Sequence, residues 1–285
     1  MNSQIERLIK DSVAKLTLRG VETSAFEVRL LLAEVLGCEA AEVLAHSAPL
    51  TPEQLNRFEE FTALRGRHVP ADKIIGRRGF YKYDFAVSRD VLSPRPDTEI
   101  LVEAAVAGVR RSGCRSVLEL GVGSGCVVLS LLAECPRLHG VGVDISAAAL
   151  DIAAQNARAL GVDGRITFRQ SSWFDADFVA ALGRQFEMIV SNPPYIASAE
   201  IAELDAEVRE YDPLPALDGG PDGLDSYRRI AEVAPELLTP GGRIYLEVGE
   251  NQAETVARIF EAAGLRREEV LEDLAGIKRC VILKK

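Results

Sequence analysis

From about residue 97 the chain alternates between short strand-like runs and helical segments. The runs are SVLEL (116–120), VGVDI (141–145), ITFRQ (166–170), FEMIVS (186–191) and RIYLEV (243–248). Such alternation leaves few architectures: it builds a mostly parallel sheet covered by helices on both faces, and ligands of that sheet sit at the carboxyl ends of its strands. Two further runs, about 267–271 and 278–283, have no helix between them and are expected to pair antiparallel. The expected fold class is therefore α/β, a doubly wound, mostly parallel sheet of seven strands.

The N-terminal quarter carries a different period. Ile5, Leu8, Ile9, Val13 and Leu16 recur at three and four residues, as do Phe26, Leu30, Ala33 and Leu36 behind the capping candidates Thr23 and Ser24. Gly37 is a plausible stop, and Thr51-Pro52-Glu53 opens another helix with proline at its first position. Two β-prone runs about Arg77-Arg78-Gly79, within Lys73 to Val87, suggest a hairpin. The expected organisation is a small helical domain over 1–70, a β-hairpin linker over 71–90 and the α/β domain over 91–285.

Composition removes several classes of function. With 285 residues, 47% of them hydrophobic, the chain can bury a sizeable core, yet no apolar run reaches the roughly 18 residues that span a bilayer. The first residues, MNSQIERLIKDSVAKL, lack the apolar stretch of a secretory signal, so a cytoplasmic location is expected. A formal net charge of -10 repels a phosphate backbone and favours a protein or small-molecule substrate over nucleic acid. Cys38, Cys114, Cys126, Cys135 and Cys280 form no C-x-x-C pair and are expected as reduced thiols; no metal site is expected. His46, His68 and His139 have no motif around them.

After the first strand stands Glu119-Leu120-Gly121-Val122-Gly123-Ser124-Gly125, running into a helix near Cys126. Glycines let the chain turn tightly and let a ligand approach the backbone. Because position 126 is Cys, the third glycine of the dinucleotide fingerprint is missing, which tilts the reading away from NAD. Asp144, at the end of the second strand, can accept hydrogen bonds from both ribose hydroxyls, or it can cap the helix that starts near Ser146. Trp173, the single tryptophan, can stack on an adenine ring, close the pocket or belong to the core.

Asn192-Pro193-Pro194-Tyr195 follows the fourth run, at a strand's carboxyl end. Two prolines in succession donate no backbone hydrogen bond and hold a stiff extended shape. The Asn192 side-chain oxygen and the Pro193 carbonyl are both acceptors and can together hold the two hydrogens of a planar -NH2 group, with Tyr195 packed on its face. A nitrogen so held presents its lone-pair face to a methyl sulfonium. Alignment of that kind can supply roughly 7 to 11 kcal/mol without a metal or covalent nucleophile. The bland reading is that Pro-Pro merely ends a strand. Glu247, at the end of another strand, is a candidate to face the same crevice; Arg95 and Glu99 either line it or serve as surface and capping charges.

Glu119 to Gly125, Asp144 and Asn192 to Tyr195 together resemble the class I methyltransferase fold with the N-P-P-Y motif of amino-methyltransferases. The runs Val91 to Glu99, Ala216 to Leu224 and Asp273 to Gly276, with the helical N-terminal domain and hairpin, resemble the bacterial release factor glutamine N5-methyltransferases over nearly the full length. That resemblance implies S-adenosyl-L-methionine as cofactor, contacted by Gly121, Val122, Gly123, Ser124, Gly125, Asp144, Trp173 and Asn192. It also implies that Asn192, Pro193, Pro194 and Tyr195 hold the substrate, the glutamine of the Gly-Gly-Gln loop of class I peptide chain release factors, with Asn192 and Pro193 as the catalytic pair and the N-terminal domain docking the release factor. The chain departs from the family at Val122 and Ser124, where threonines are usual, and at Ser172, where an aspartate before the tryptophan is common; the last change shifts the adenine contact onto Trp173. Two rivals are an adenine-N6 methyltransferase, which would need base flipping and a basic recognition domain, and a silent cofactor-binding adaptor, which would not need the acceptor pair.

Overall fold

A computed structural model describes residues 3–285. The chain forms two compact units: the first runs to Arg77 and includes Asp205–Tyr211, and the second comprises Arg78–Leu204 and Asp212–Lys285.

The first unit is helical: α1 (Ser3–Leu18), α2 (Ala25–Leu36), α3 (Pro52–Arg65) and α4 (Ala71–Ile75) enclose Ile5, Leu16, Val28, Leu31, Leu32 and Phe58. Their ends are where the residue types require them. Ser24 caps α2 by accepting from the Glu27 N–H, Gly37 ends it at φ 67°, and Thr51 and Gln54 form a reciprocal capping box on α3. Arg65 is 2% exposed, and its guanidinium reaches Glu27 at 3.1 Å and Glu207 at 2.5 Å.

The hairpin of the second unit, β1 (Arg77–Phe80) and β2 (Tyr83–Ala86), turns at Tyr81-Lys82, not at the expected Arg77-Arg78-Gly79. The reason is Gly76, whose φ of 80° closes α4 just before β1, so that Lys73–Ile75 is helix and Arg77–Gly79 is already strand.

The α/β layer follows as α5 (Glu99–Ser112), β3 (Ser116–Leu120), α6 (Cys126–Glu134), β4 (His139–Asp144), α7 (Ala147–Ala159), β5 (Ile166–Gln170), α8 (Phe178–Leu182) and β6 (Phe186–Ser191). It is completed by α9 (Ala206–Tyr211, part of the first unit), α10 (Asp225–Leu237), β7 (Leu238–Glu247), α11 (Ala253–Ala262), β8 (Arg266–Glu272) and β9 (Lys278–Lys284). The strand order is β5-β4-β3-β6-β7-β9-β8, parallel as far as β7, with β9 antiparallel to both β7 and β8. This is the expected seven-stranded, doubly wound sheet.

After β3 the chain moves outward through β4 to β5, then returns to the other side of β3 as β6. The reversal opens a crevice at the carboxyl ends of β3 and β6, so the glycine turn and the Asn-Pro-Pro-Tyr segment become neighbours. Two apolar clusters enclose the sheet, one built around Leu118, Ile189, Ile230, Leu246 and Phe260, the other around Leu101, Val117, Leu131, Val190 and Ile282. All five cysteines are free, and burial pushes the Cys114 thiol up to about 11. Among the described residues no helix is long and apolar enough to cross a membrane.

Candidate active site

The site grows from one pair of strand ends. Leu120 of β3 lies opposite Ser191 of β6, and the Ser191 hydroxyl donates to the Leu120 carbonyl at 2.7 Å, locking the turns that follow each strand side by side. Gly121 and Val122 both donate backbone N–H to the Val143 carbonyl, at 3.0 and 3.1 Å, which bends the glycine turn across the end of β4.

Gly121 and Gly123 stand at φ 76° and 54°, in the left-handed region that a side chain disfavours. At Gly121 a Cβ would meet the Trp173 ring at 3.4 Å and the Asn192 carbonyl at 4.0 Å. At Gly123 it would meet nothing within 4 Å. The turn thus presents bare backbone to open space, while the Val122 and Ser124 side chains are buried. Val122 and Ser124 therefore turn their side chains away from that space.

Asp144 faces the turn with both oxygens engaged: Oδ2 accepts from the Gly123 N–H and Oδ1 from the Ser146 N–H, each at 2.9 Å. Ser146, not Asp144, caps α7, accepting from the Ala149 N–H. A carboxylate has about four acceptor positions, so Asp144 keeps lone pairs for a diol. Glu119, 2% exposed, accepts from the Val128 N–H at 3.1 Å, and burial drives its carboxyl well above the usual carboxylate range.

Trp173 is 7% exposed and packs in the core beside Gly121, its Nε1 buried with no partner; its carbonyl accepts from Arg229 Nε at 2.7 Å. The neighbouring Phe174 ring is exposed, 6.1 Å from the Trp173 ring. Ser172 uses its hydroxyl oxygen to accept from the Phe174 N–H in a local turn.

At the end of β6, Asn192 Nδ2 donates to Thr98 Oγ1 at 3.2 Å. Its Oδ1 is thereby turned away from Thr98. Pro193 is buried and Pro194 half-buried. The Tyr195 hydroxyl approaches Glu247 Oε1 at 3.5 Å, and burial first, then the Glu247 charge, raises its phenol. Gln252 grips the Tyr195 carbonyl through Nε2 at 2.9 Å. The run Ala216–Leu224 backs this segment: Ile196 donates to the Leu217 carbonyl at 3.0 Å, Gly219 to the Ile196 carbonyl at 2.8 Å, and Gly223 lies so close to the Tyr195 carbonyl that no Cβ fits.

The structure accordingly brings together the glycine turn, Asp144, Trp173 and Asn192, with Pro193 and Pro194 next along the chain and the Tyr195 hydroxyl directed towards Glu247. Arg95 pairs with Asp212 at 3.4 Å, and Glu99 accepts the Tyr81 N–H at 2.9 Å, so these two charges brace loops. Sequence reasoning missed Thr98 and Asn156. Asn156 donates to the Ser124 carbonyl and exchanges bonds with both the N–H and carbonyl of Ala86, tying the glycine turn to β2. No periodicity marks either residue, since each acts through polar contacts across a long sequence gap.

This sheet order, with a glycine turn after β3, an acid ending β4 and an antiparallel last pair, is that of a class I S-adenosyl-L-methionine-dependent methyltransferase. The fold is shared with the hMettl16 catalytic domain, solved in complex with an RNA hairpin, at a TM-score of 0.54 and 12% identity over 79% of this chain and 81% of that one. Two family models match: the methyltransferase small domain over residues 96–207 and the PrmC N-terminal domain over 7–76. The chain belongs to the release factor glutamine methyltransferase family. It is 44% identical to the member from Rhodospirillum rubrum over 98% of this chain and 84% of that one. With the member from Cereibacter sphaeroides it shares 46% over 96% and 95%. It is thus a methyltransferase with S-adenosyl-L-methionine as cofactor, and the open space at Gly123 beside Asp144 fits that group.

Proposed function

We propose that the chain methylates the side-chain amide nitrogen, N5, of the glutamine in the Gly-Gly-Gln motif of class I peptide chain release factors. The observation that carries the reading is the Asn192–Thr98 hydrogen bond: with Nδ2 committed to Thr98, Oδ1 is an acceptor available beside the rigid Pro193 carbonyl. Two fixed acceptors match the two N–H groups of a primary amide.

S-adenosyl-L-methionine, when bound, supplies an electrophilic methyl group. Its holders are Gly121, Val122, Gly123, Ser124 and Gly125 through the main chain, Asp144 through its carboxylate, Trp173 by packing under the turn, and Asn192 through its backbone. Asn192 Oδ1 and Pro193 O draw partial positive charge onto the amide hydrogens, and this attraction grows as the nitrogen lone pair leaves conjugation. Pro194 keeps the segment extended, and Tyr195 supports it from below. The nitrogen forms one N–C bond while the C–S bond breaks, and one N–H proton leaves to solvent. The helical unit, on which Leu18 and Phe26 stand exposed, docks the body of the release factor.

The test is methyl-labelled cofactor offered with a release factor or with an unmethylated oligonucleotide, and mass spectrometry to locate the label. Label on the Gly-Gly-Gln glutamine is the expected result. Label on oligonucleotide adenine alone would replace the substrate, and transfer to neither would leave a cofactor-binding adaptor.

A further inference from the structure

We infer that Gln252 is a positioning residue for methyl transfer: its carboxamide holds the far end of the 192–195 segment and so fixes where the Pro193 carbonyl points. This rests on the reading of Asn192 Oδ1 and Pro193 O as the acceptor pair for the substrate amide.

A segment with two successive prolines cannot be held as a strand is. Pro193 and Pro194 have no N–H to place in a ladder, so the stretch is a stiff rod whose direction is set at its ends. The near end is fixed by β6, where Ser191 pairs with Leu120 and binds its carbonyl. The far end is Tyr195, whose carbonyl accepts from Gln252 Nε2 at 2.9 Å. Beyond it Ile196 is bonded to Leu217 and Gly219, so the run 216–224 is the frame on which that end rests, and the same Nε2 reaches the Gly223 carbonyl at 3.5 Å.

The Gln252 carboxamide cannot turn over. Its Oε1 accepts from the Gly249 N–H at 3.0 Å, and an N–H can only donate, so the oxygen edge belongs to Gly249 and the nitrogen edge to the two carbonyls. One side chain thus joins the end of β6, the run 216–224 and the turn between β7 and α11. Gln252 is itself anchored: it stands at the N-cap of α11 and donates its backbone N–H to the Gly249 carbonyl at 3.1 Å. The packing leaves no slack, since a Cβ at Gly223 would come within 2.8 Å of Nε2 and one at Gly249 within 2.8 Å of Oε1.

The two N–H groups of a planar amide have a fixed spacing, so both acceptors must be in place at once. Asn192 Oδ1 is set by the bond to Thr98, and Pro193 O by the pitch of the rod. Without the Gln252 donor the Tyr195 carbonyl loses its partner and the rod tilts about the end of β6. A displacement of about 1 Å is enough to cost on the order of 100-fold in rate.

Gln252→Met keeps the length of the side chain and deletes both polar groups; the residue is half-buried, so the fold accommodates the change. In this variant kcat for a release factor falls about 10- to 100-fold, with cofactor Kd unchanged. Gln252→Glu keeps the acceptor for Gly249 and, when ionised, offers no donor to the two carbonyls, so its kcat falls as far. A double-mutant cycle with Asn192→Ala separates orientation from mere support: with one acceptor gone the substrate amide pivots on the other, and Gln252→Met then costs about threefold or less. In the substrate-free variant the Ile196 amide exchanges its hydrogen faster than in the wild type. A wild-type kcat in Gln252→Met, an equal loss in the Asn192→Ala background, or unchanged Ile196 exchange would overturn the inference. If the wild type transfers to no release factor while Ile196 exchange still quickens in the variant, the substrate reading alone falls.

Discussion

Gly123 donates its backbone N–H to Asp144 Oδ2 at 2.9 Å, so one carboxylate both shapes the glycine turn and offers its remaining lone pairs to whatever the turn holds. Asp144→Asn puts an -NH2 against the Gly123 or the Ser146 N–H, both of which now donate to it. Loss of a charged hydrogen bond is worth about 1.5–3 kcal/mol, so the cofactor Kd measured calorimetrically is expected to rise roughly 10- to 150-fold. An unchanged Kd would remove Asp144 from the cofactor site.

Gly123 offers a sharper separation between fold and ligand. Gly123→Ala places a methyl group in open space, at a φ of 54°, so folding is expected to lose only about 1–2 kcal/mol from left-handed strain. If that space belongs to the cofactor, affinity falls at least tenfold while the denaturation midpoint moves little. Equal, small losses in both would mean that the space is solvent.

Glu247 predicts an inverted pH dependence of stability. Its folded-state value of about 7 lies above the ordinary 4.5, so the folded chain keeps a proton that the unfolded chain releases. Below about 4.5 both states are protonated and the burial costs nothing; across 4.5 to 7 stability is lost as pH rises, and above 7 the cost is complete, about 3 kcal/mol. Glu247→Gln is therefore expected to be more stable than the parent at pH 8 and similar at pH 4.5. Thermal melts over that range check it; a constant difference would place the group's titration elsewhere.

Periodicity made the sheet legible. β3 and β6 start and end where their apolar runs do, because a buried parallel strand needs continuous hydrophobic sequence on both faces, whereas the edge strand β5 is marked by alternation, with Ile166 and Phe168 partly buried between exposed Thr167 and Arg169. β7 begins earlier than its run, at Leu238, which pairs with Phe186; the chain then bulges, with Gly241 at φ 78°, before Arg243 resumes the pairing opposite Met188. At the site, the glycine turn and the double proline were legible because their backbone requirements restrict residue type. Thr98 was not: its value lies in being buried and accepting from Asn192 Nδ2, a residue far from it in sequence.

Among the described residues of the first unit Arg65 is the one buried cation, bonding to Glu27 and Glu207, with a further bond from Nη2 to the Glu22 carbonyl at 3.3 Å. Arg65→Met keeps the apolar stem and deletes the charge, leaving two partly exposed carboxylates unpaired. Breaking a buried pair costs about 3–5 kcal/mol, and exposure of the acids puts the expected loss near the lower end. Urea denaturation followed by probes in the first unit measures it; a loss below about 1 kcal/mol would mean that the charges bring no net stability.

Asn192 is where orientation and chemistry meet. Asn192→Ala removes Oδ1 and the bond to Thr98 but leaves Pro193, Pro194 and the Gln252 grip on Tyr195, so the segment should keep its path. Removing one preorganised polar partner of a developing charge costs on the order of 100- to 1000-fold in rate. The expected outcome is a kcat lowered by that factor, with cofactor Kd changed little because the contact proposed for Asn192 with the cofactor is through its backbone, which the substitution leaves in place. Should kcat survive while Kd collapses, Asn192 would be a cofactor residue and the acceptor pair would have to be sought elsewhere along the same crevice.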